Sequence, residues 1–468
     1  MQAHLEFLGA AGNVTGSRHL LQVDDTRILV DCGLYQERAL QDRNWERFRI
    51  DPRSIDAMLL THAHLDHCGL LPKLVKEGFR GRVHCTGATA SLTRIVMLDS
   101  AKIQEEDVKW KEKRHRKQNR KSPHPYVPLY TIDDTERACE LLEPCFYEED
   151  VEVAPGITAT FHDAGHVLGS STIKVRIQRD GETRTVVFSG DLGRWDRPIL
   201  EDPATYDQAD CMVMESTYGD RNHPETENPS ERLEEVINST IQRGGNIVIP
   251  AFSIERSQEL MYYLSGLRIQ KKIPRIMTFL DSPMAIRVTE VFKDNPAYFD
   301  EEMLDRIHQG RSPFDYLGLK MSRTTAESKA INQIKGSVIV MAGSGMCTGG
   351  RIKHHISANI ERPESTILFV GYQAVGTLGR IIVDGAKEIR LFGEQRPIRA
   401  QIEQIHGFSG HAGQRGLLRW ATALKQPPQE VFIVHGEPEA SRTLQEKLAA
   451  QTGWKVSCPQ YGESATLE

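Results

Sequence analysis

Nowhere in the 468 residues does an apolar run approach the ~20 residues that a membrane-spanning helix needs, so no such helix is expected. Also missing is a basic N-terminal stretch leading into an apolar one. Met1-Gln2-Ala3-His4-Leu5-Glu6 has neither part of a secretory signal, and the chain reads as cytoplasmic with no membrane partner. The eight cysteines (Cys32, Cys68, Cys85, Cys139, Cys145, Cys211, Cys347 and Cys458) form no C-x-x-C pair and no disulfide-framework spacing. They read as reduced and structural. An excess of positive charge is lacking too: the formal net charge of −6 excludes a uniformly basic surface, while leaving the local potential of a groove open.

What is present is the composition of a globular protein, 39% hydrophobic and 26% charged, in a chain too long for one ordinary core. At ~150 residues per domain, two or three compact units are expected. Short β-branched runs recur at Arg27 to Val30, Ala57 to Leu60, Val186 to Phe188, Met212 to Met214, Ile247 to Ile249, Val338 to Met341, Thr366 to Val370 and Val431 to Val434. Between most of them lie amphipathic or charged segments such as Ser230 to Arg243, which read as helices. The fold class is therefore α/β with buried strands. Asp31, His62, Asp191, Glu215 and His435 each stand just after such a run, where strand ends hold functional groups on a rigid base.

Thr61-His62-Ala63-His64-Leu65-Asp66-His67-Cys68-Gly69 is the most informative segment. Imidazole and carboxylate are ligands that zinc accepts, and His62, His64, Asp66 and His67 are too closely spaced for all four to face one ion. The spacing suits two. A lone histidine is more often structural, which is how His4, His19, His84, His162 and His308 are read. Four such groups at one strand end need a partner to offset their burial. A set poor in thiolate, containing carboxylate and leaving open positions favours hydrolysis over redox chemistry.

Downstream stand Asp163-Ala164-Gly165-His166-Val167-Leu168-Gly169 and Phe188-Ser189-Gly190-Asp191. With the histidine cluster they resemble the ligand motifs of the metallo-β-lactamase fold hydrolases, whose core is an αββα sandwich. The resemblance implies two Zn2+ per chain, one held by His62, His64 and His166, the other by Asp66, His67 and His435, with Asp191 between them. Asp31, in Val30-Asp31-Cys32-Gly33, matches the family's first motif and would orient the cluster from behind. A pair of zinc ions about 3.5–4 Å apart makes a bridging water available as hydroxide near neutral pH and neutralises charge on an attacked phosphorus.

Between the Asp191 motif and His435 runs a segment from about residue 209 to 396, far longer than a loop needs. The boundaries read as 1–208 for the first part of the metallo-β-lactamase domain, 209–396 for an inserted α/β domain and 397–468 for the return. Met214-Glu215-Ser216-Thr217-Tyr218-Gly219, Phe408-Ser409-Gly410-His411-Ala412-Gly413 and Val434-His435-Gly436-Glu437 resemble motifs A, B and C of the β-CASP ribonucleases. Between them come Asp281-Ser282-Pro283 and Gly343-Ser344-Gly345-Met346, so the resemblance covers nearly the whole chain. It implies an endonuclease for single-stranded RNA, bound between the domains, in which a bridging hydroxide attacks phosphorus. His411, held by Glu215, would protonate the leaving oxygen, since a ribose 3′-oxygen leaves slowly without a proton. Asp66, Asp191, Glu215 and His411 are thus the expected catalytic residues.

Glycine-rich loops at Gly343 to Arg351 and Gly371 to Arg380 match neither a Walker loop nor G-x-G-x-x-G. They are read as backbone-amide cradles for RNA phosphates, with Ser344, Arg351 and Arg380 as RNA-binding residues. Ser409, with the loop amides of Gly410 and Ala412, resembles the phosphate-holding element of ribonuclease J-like members, which implies a fourth RNA-binding residue. Residues 109–121 carry eight lysines and arginines against Glu112 alone, ending at Ser122-Pro123-His124-Pro125. The run reads as a helix with a proline stop, either a solvated face or the footprint of a polyanion. A DNA-directed nuclease of the same build, a non-catalytic RNA-binding scaffold and a small-molecule hydrolase remain alternatives, and a homodimer is left open. The intact ligand set speaks against the scaffold, the second domain against the small-molecule enzyme, and a histidine at motif C for RNA over DNA.

Overall fold

All eight apolar runs are strands, and their pairing sorts them into three sheets. The computed structural model describes residues 2–118, 125–224, 228–374 and 376–467. Two compact units result, the first of Met1–Asp196, Asp202–Asn222 and His411–Glu468, the second of Arg197–Glu201 and His223–Gly410.

The first unit holds two seven-stranded sheets. One runs, in spatial order, Ser464–Leu467, Ala3–Gly9, Arg18–Val23, Thr26–Val30, Ala57–Leu59, Arg82–Thr86 and Leu142–Cys145. The other runs Val456–Ser457, Glu430–Val434, Cys211–Glu215, Glu182–Phe188, Ser171–Arg179, Ile157–Asp163 and Asp150–Ala154. Leu5, Phe7, Val30 and Leu59 of the first sheet share one core with Phe161, Ile173, Phe188, Val213 and Phe432 of the second. Phe7 and Phe432 meet at 5.1 Å between ring centroids. The helix Gly87–Gln118 packs against the first sheet, on strands Arg82–Thr86 and Leu142–Cys145. Helices Gln414–Ala421 and Pro438–Thr452 cover the outer face of the second, laying Leu417, Trp420, Leu444 and Leu448 on Val187, Met212, Met214 and Ile433. Each such side chain contributes roughly 1.5–3 kcal/mol by leaving water. The layers are an αββα sandwich.

The second unit is built on a six-stranded parallel sheet in the order Leu319–Met321, Met277–Leu280, Val338–Ala342, Ile247–Pro250, Thr366–Val370, Gln401–Ile405. Near-continuous apolar strands such as Val338–Ala342 are buried throughout, as a sheet covered on both faces demands. The helix Pro229–Gln242 starts with Asn228 accepting from the Ser230 and Glu231 amides and proline in its first turn.

The units change over at points other than residues 209 and 396, because sequence order hides pairing. Cys211–Glu215 lies parallel to both Glu182–Phe188 and Glu430–Val434, which binds it to the first unit. Gln401–Ile405 pairs with Thr366–Val370 and so belongs to the second. Where the first unit's chain breaks off and resumes, the Gln414 amide donates to the Arg221 carbonyl (2.9 Å) and the Arg415 amide to Asn222 Oδ1 (2.8 Å).

All eight cysteines are free thiols, seven of them buried. Among the described residues no helix is long and apolar enough to cross a membrane. Of the basic run, residues 109–117 extend the helix Gly87–Gln118; Arg120, Lys121, Ser122, Pro123 and His124 lie outside the described residues.

Candidate metal centre and active site

Five strand ends of the first unit converge on one buried point. Ala57–Leu59 delivers His62; the single turn Leu65–Cys68 that follows carries Asp66 and His67, with His64 at its N-cap. Ile157–Asp163 leads into the loop of His166, whose Gly169 carbonyl receives the hydroxyls of Thr86 and Thr89 at 2.7 Å each. A Cβ on Gly169 would meet Thr86 Oγ1 at 2.6 Å, and its φ is +75°, so only glycine fits there. Glu182–Phe188 precedes Asp191, Cys211–Glu215 ends on Glu215, and Glu430–Val434 precedes His435. Asp31 and His435 adopt left-handed backbone at φ +60° and +50°, a conformation in which aspartate and histidine are enriched among non-glycine residues.

The donor atoms form two groups around Asp191. His62 Nε2 and His166 Nε2 lie 3.1 and 3.2 Å from His64 Nδ1, and 3.4 and 3.5 Å from Asp191 Oδ2. On the other side, His67 Nε2 and His435 Nε2 are 3.1 Å apart, 3.2 and 3.5 Å from Asp191 Oδ1, with Asp66 Oδ2 3.6 Å from His435 Nε2. Within each of the groups His62, His64, His166, Asp191 and Asp66, His67, His435, the donor atoms lie within 4.8 Å of one another.

Charge supports the reading of these atoms as ligands. Burial pushes His62 and His166 down and His64 down to about 3, with neighbouring imidazoles adding to the effect, so all three stay neutral with a lone pair to offer. Burial alone would raise the carboxyls of Asp66 and Asp191, but the surrounding histidines, His435 foremost, hold both below the usual range. Asp191 Oδ1 is buried and accepts no hydrogen bond. On the Oδ1 side burial would lower His67 and His435, but Asp191 and the neighbouring carboxylates outweigh it and raise both. Neutral imidazoles facing one another on one side of Asp191 and imidazoles drawn towards positive charge on the other both mark a place for divalent cations. The residues fit a metal pair.

Behind the donors stands a layer of short hydroxyls and one carboxylate. Asp31 Oδ2 is 2.6 Å from His67 Nδ1, while Asp31 Oδ1 accepts from the Thr61 amide at 2.9 Å. Thr61 Oγ1 touches both Asp31 and His62 Nδ1, and Thr217 Oγ1 lies 3.2 Å from His435 Nδ1. These partners fix which nitrogen faces inward. Asp31→Asn keeps the shape but gives up the negative charge on His67; metal affinity, read by competition with a chromophoric chelator, is expected to fall about 10–100-fold. Thr61, Ser189 and Thr217 stand in the sequence motifs without a signal of their own, because serine and threonine carry none until a fold sets them beside a histidine or a carboxylate.

His411 lies on the same side as His166, their rings 4.6 Å apart. Its Nδ1 is 3.2 Å from Glu215 Oε1, and Glu215, fully buried, also accepts from the amides of Leu192 (2.6 Å) and Thr217 (3.2 Å). Glu215's own amide donates to Ser189 Oγ at 2.9 Å. Burial would depress His411, yet the carboxylates of Glu215 and Asp191 outweigh it and lift the imidazole to about 9. The ring keeps 23% of its exposure, so with part-buried His64 and Asp66 it gives the group an edge open to solvent.

Three comparisons bear on what these groups do. A β-lactamase superfamily model matches residues 26–242, a β-CASP domain model 257–382, and a Zn-dependent metallo-hydrolase RNA specificity domain model 395–459. Ribonuclease TTHA0252 of Thermus thermophilus is 40% identical over 462 residues, spanning 98% of this chain and 99% of its own. The chain belongs to the β-CASP ribonuclease family of the metallo-β-lactamase fold. It is a metal-dependent hydrolase. The transcription termination factor FttA of Methanosarcina mazei is 34% identical to this β-CASP enzyme, across 95% of the chain and 69% of the relative. A solved protein of unknown function from Enterococcus faecalis shares the fold at TM-score 0.57 and 13% identity, each chain fully covered.

The expected RNA-binding residues of this hydrolase lie apart in kind. Ser344 Oγ accepts from the Thr348 amide at 3.0 Å, bracing the glycine loop. Ser409 is half-buried in extended backbone after the turn His406–Phe408. Arg380, partly exposed, reaches Asp384 at 2.7 Å. Arg351 differs from expectation: its Nη1 donates to Asp281 (2.6 Å) and the Ser322 carbonyl (3.0 Å), its Nη2 to the Arg323 carbonyl (3.0 Å). Asp281 is fully buried and also takes His355 Nε2 at 2.6 Å. The guanidinium is a strut inside the second unit, with most of its fork already used. Val375, in the second glycine loop, lies outside the described residues.

Proposed function

We propose that the chain is a zinc-dependent endoribonuclease that hydrolyses phosphodiester bonds of single-stranded RNA. The observation that carries this reading is Asp191, whose two oxygens each face a separate set of imidazoles while His411, braced by a buried glutamate, stands beside them. Two relatives covered for two thirds of their length or more, named as a ribonuclease and a transcription termination factor, support RNA as the substrate. When bound, the metal pair makes water a competent nucleophile near neutral pH and withdraws charge from the phosphodiester.

The remaining work falls to the chain's own residues. Water attacks phosphorus, the bond from phosphorus to the ribose 3′-oxygen breaks, and His411 gives its outward proton to that oxygen. Glu215 accepts the Nδ1 proton throughout, which selects the tautomer and favours the charged ring that must donate. Asp66, Asp191, His62, His64, His67, His166 and His435 hold the ions, and Asp31 orients His67. Ser344, Ser409 and Arg380 are assigned to backbone phosphates, contacts that position a strand without reading its bases. Arg351 is assigned to holding the loop of Ser344 instead.

Dialysis against a strong chelator is expected to abolish cleavage of an end-labelled single-stranded RNA, and added Zn2+ to restore it. Internal fragments should appear before mononucleotides, and a DNA of the same sequence should be cut more slowly. Full activity in chelator with no metal detectable in the protein would sink the proposal.

A further inference from the structure

The basic run is not absorbed by the centre described above, and its setting in the fold is specific. The helix Gly87–Gln118 starts at the ligand loop, where Thr86 and Thr89 hold the Gly169 carbonyl, and from Thr89 to Trp110 it rises about 30 Å. Over its last turns nearly every side chain is exposed, with Val108 and His115 the half-buried exceptions between residues 106 and 117. The returning chain accounts for His115: Tyr126 Oη lies 3.0 Å from its Nδ1, and the Leu129 amide donates to Gln104 Oε1 at 3.1 Å. Gln104 and His115 are about three turns apart and so share one face, which the return covers.

The opposite face is left open. Lys109, Lys113 and Lys117 follow each other at i+4 spacing, with Trp110 and Arg114 alongside, all five exposed within about 140° of the circumference. Of the acids nearby, Asp107 pairs with Lys111 at 4.0 Å and Glu112 with Arg116 at 3.8 Å. Glu106, exposed one turn before Lys109, shares the open face and leaves it with four cations against one carboxylate. Trp110 is 57% exposed, and the Arg114 guanidinium stacks over it at 4.6 Å from the ring centroid. A lysine ladder beside an exposed indole capped by a guanidinium matches two needs of single-stranded nucleic acid at once: cations for phosphates and a flat surface for a base. An acidic protein would use the charge and leave the indole without a counterpart.

We propose that this open face is an RNA-anchoring arm, a second binding site about 30 Å along the helix from the His166 loop that grips single-stranded RNA extending beyond the cleavage position. Lys109, Lys113 and Lys117 take phosphates; Trp110 and Arg114 stack a base. The inference rests on the ribonuclease reading for its ligand. Its signature is a dependence on substrate length, since an oligonucleotide too short to reach the arm gains nothing from it.

The test compares a 40-nucleotide and an 8-nucleotide single-stranded RNA as substrates for the metal-loaded full chain. Replacing Lys109, Lys113 and Lys117 by alanine should raise KM for the long RNA and make its binding less salt-sensitive, the slope of log K against log salt shrinking by about 2. Trp110→Ala should weaken long-RNA binding about tenfold without altering the salt slope. In each variant kcat on the long RNA and kcat/KM on the short one should stay at wild-type values. Lysine-to-arginine replacements at the same three positions keep the charge and should restore the long-RNA KM. Wild-type KM and salt slope in the triple variant would overturn the arm, as would equal losses on both RNAs. Failure of the wild-type chain to cut either RNA would instead overturn the ribonuclease reading.

Discussion

Asp191→Ala is expected to strip the protein of both ions at once and to lower RNA cleavage by about 10³-fold or more. Its two carboxylate oxygens face the imidazole groups from between them, Oδ2 at 3.4 and 3.5 Å on one side and Oδ1 at 3.2 and 3.5 Å on the other. Each function lost with the pair, nucleophile generation and charge neutralisation, is worth several kcal/mol of barrier, and 1.4 kcal/mol is tenfold in rate. Metal content by mass spectrometry should fall from two ions per chain towards none. The sandwich should survive, since its core lies in apolar contacts such as Phe7 on Phe432 and not in the ligands, and far-UV circular dichroism would register that. A variant that keeps two tightly held ions refutes the bridging role.

His411→Ala should do the reverse: metal content unchanged, kcat reduced by roughly 10²–10⁴. The histidine touches the donor set at one remove, 3.9 Å from Asp191 Oδ2, and its firm partner is Glu215. Chemistry separates a proton donor from a structural prop. On a phosphodiester whose leaving group is a nitrophenolate, departure needs no proton, so wild type and His411→Ala should differ little there while differing greatly on RNA. Equal losses on the two substrates would mean that His411 acts on binding or on the ions. Glu215→Gln should show the same substrate pattern with a smaller loss, because an amide can accept from Nδ1 yet cannot favour the charged ring.

Much of this centre was legible before any coordinates. His62, His64, Asp66 and His67 crowd within one strand end, and no apolar core tolerates such a cluster unpartnered. Position after a buried run marked Asp31, Asp191, Glu215 and His435 in the same way. The supporting hydroxyls were not legible, because Thr61 matters only when Asp31, thirty residues earlier, comes within 2.9 Å. Arg351 misled for the same reason. An arginine after a glycine loop looks like a phosphate ligand until Asp281, seventy residues away, takes its guanidinium. Domain limits failed where parallel pairing crosses the insertion: nothing local in Cys211–Glu215 reveals that its neighbour is Glu430–Val434.

The tie between Gln414 and Arg221, repeated between Arg415 and Asn222, gives the molecule a closed stem at the root of its long excursion. Glu215 sits upstream of that stem and His435 downstream, on adjacent rungs through the pairing of Glu215 with Val434. Some two hundred residues can therefore lengthen, shorten or be exchanged like a cassette while the ladder that spaces Glu215 from His435 stays in register. Change in the excursion is thereby uncoupled from the register of the strands that carry the converging histidines and carboxylates.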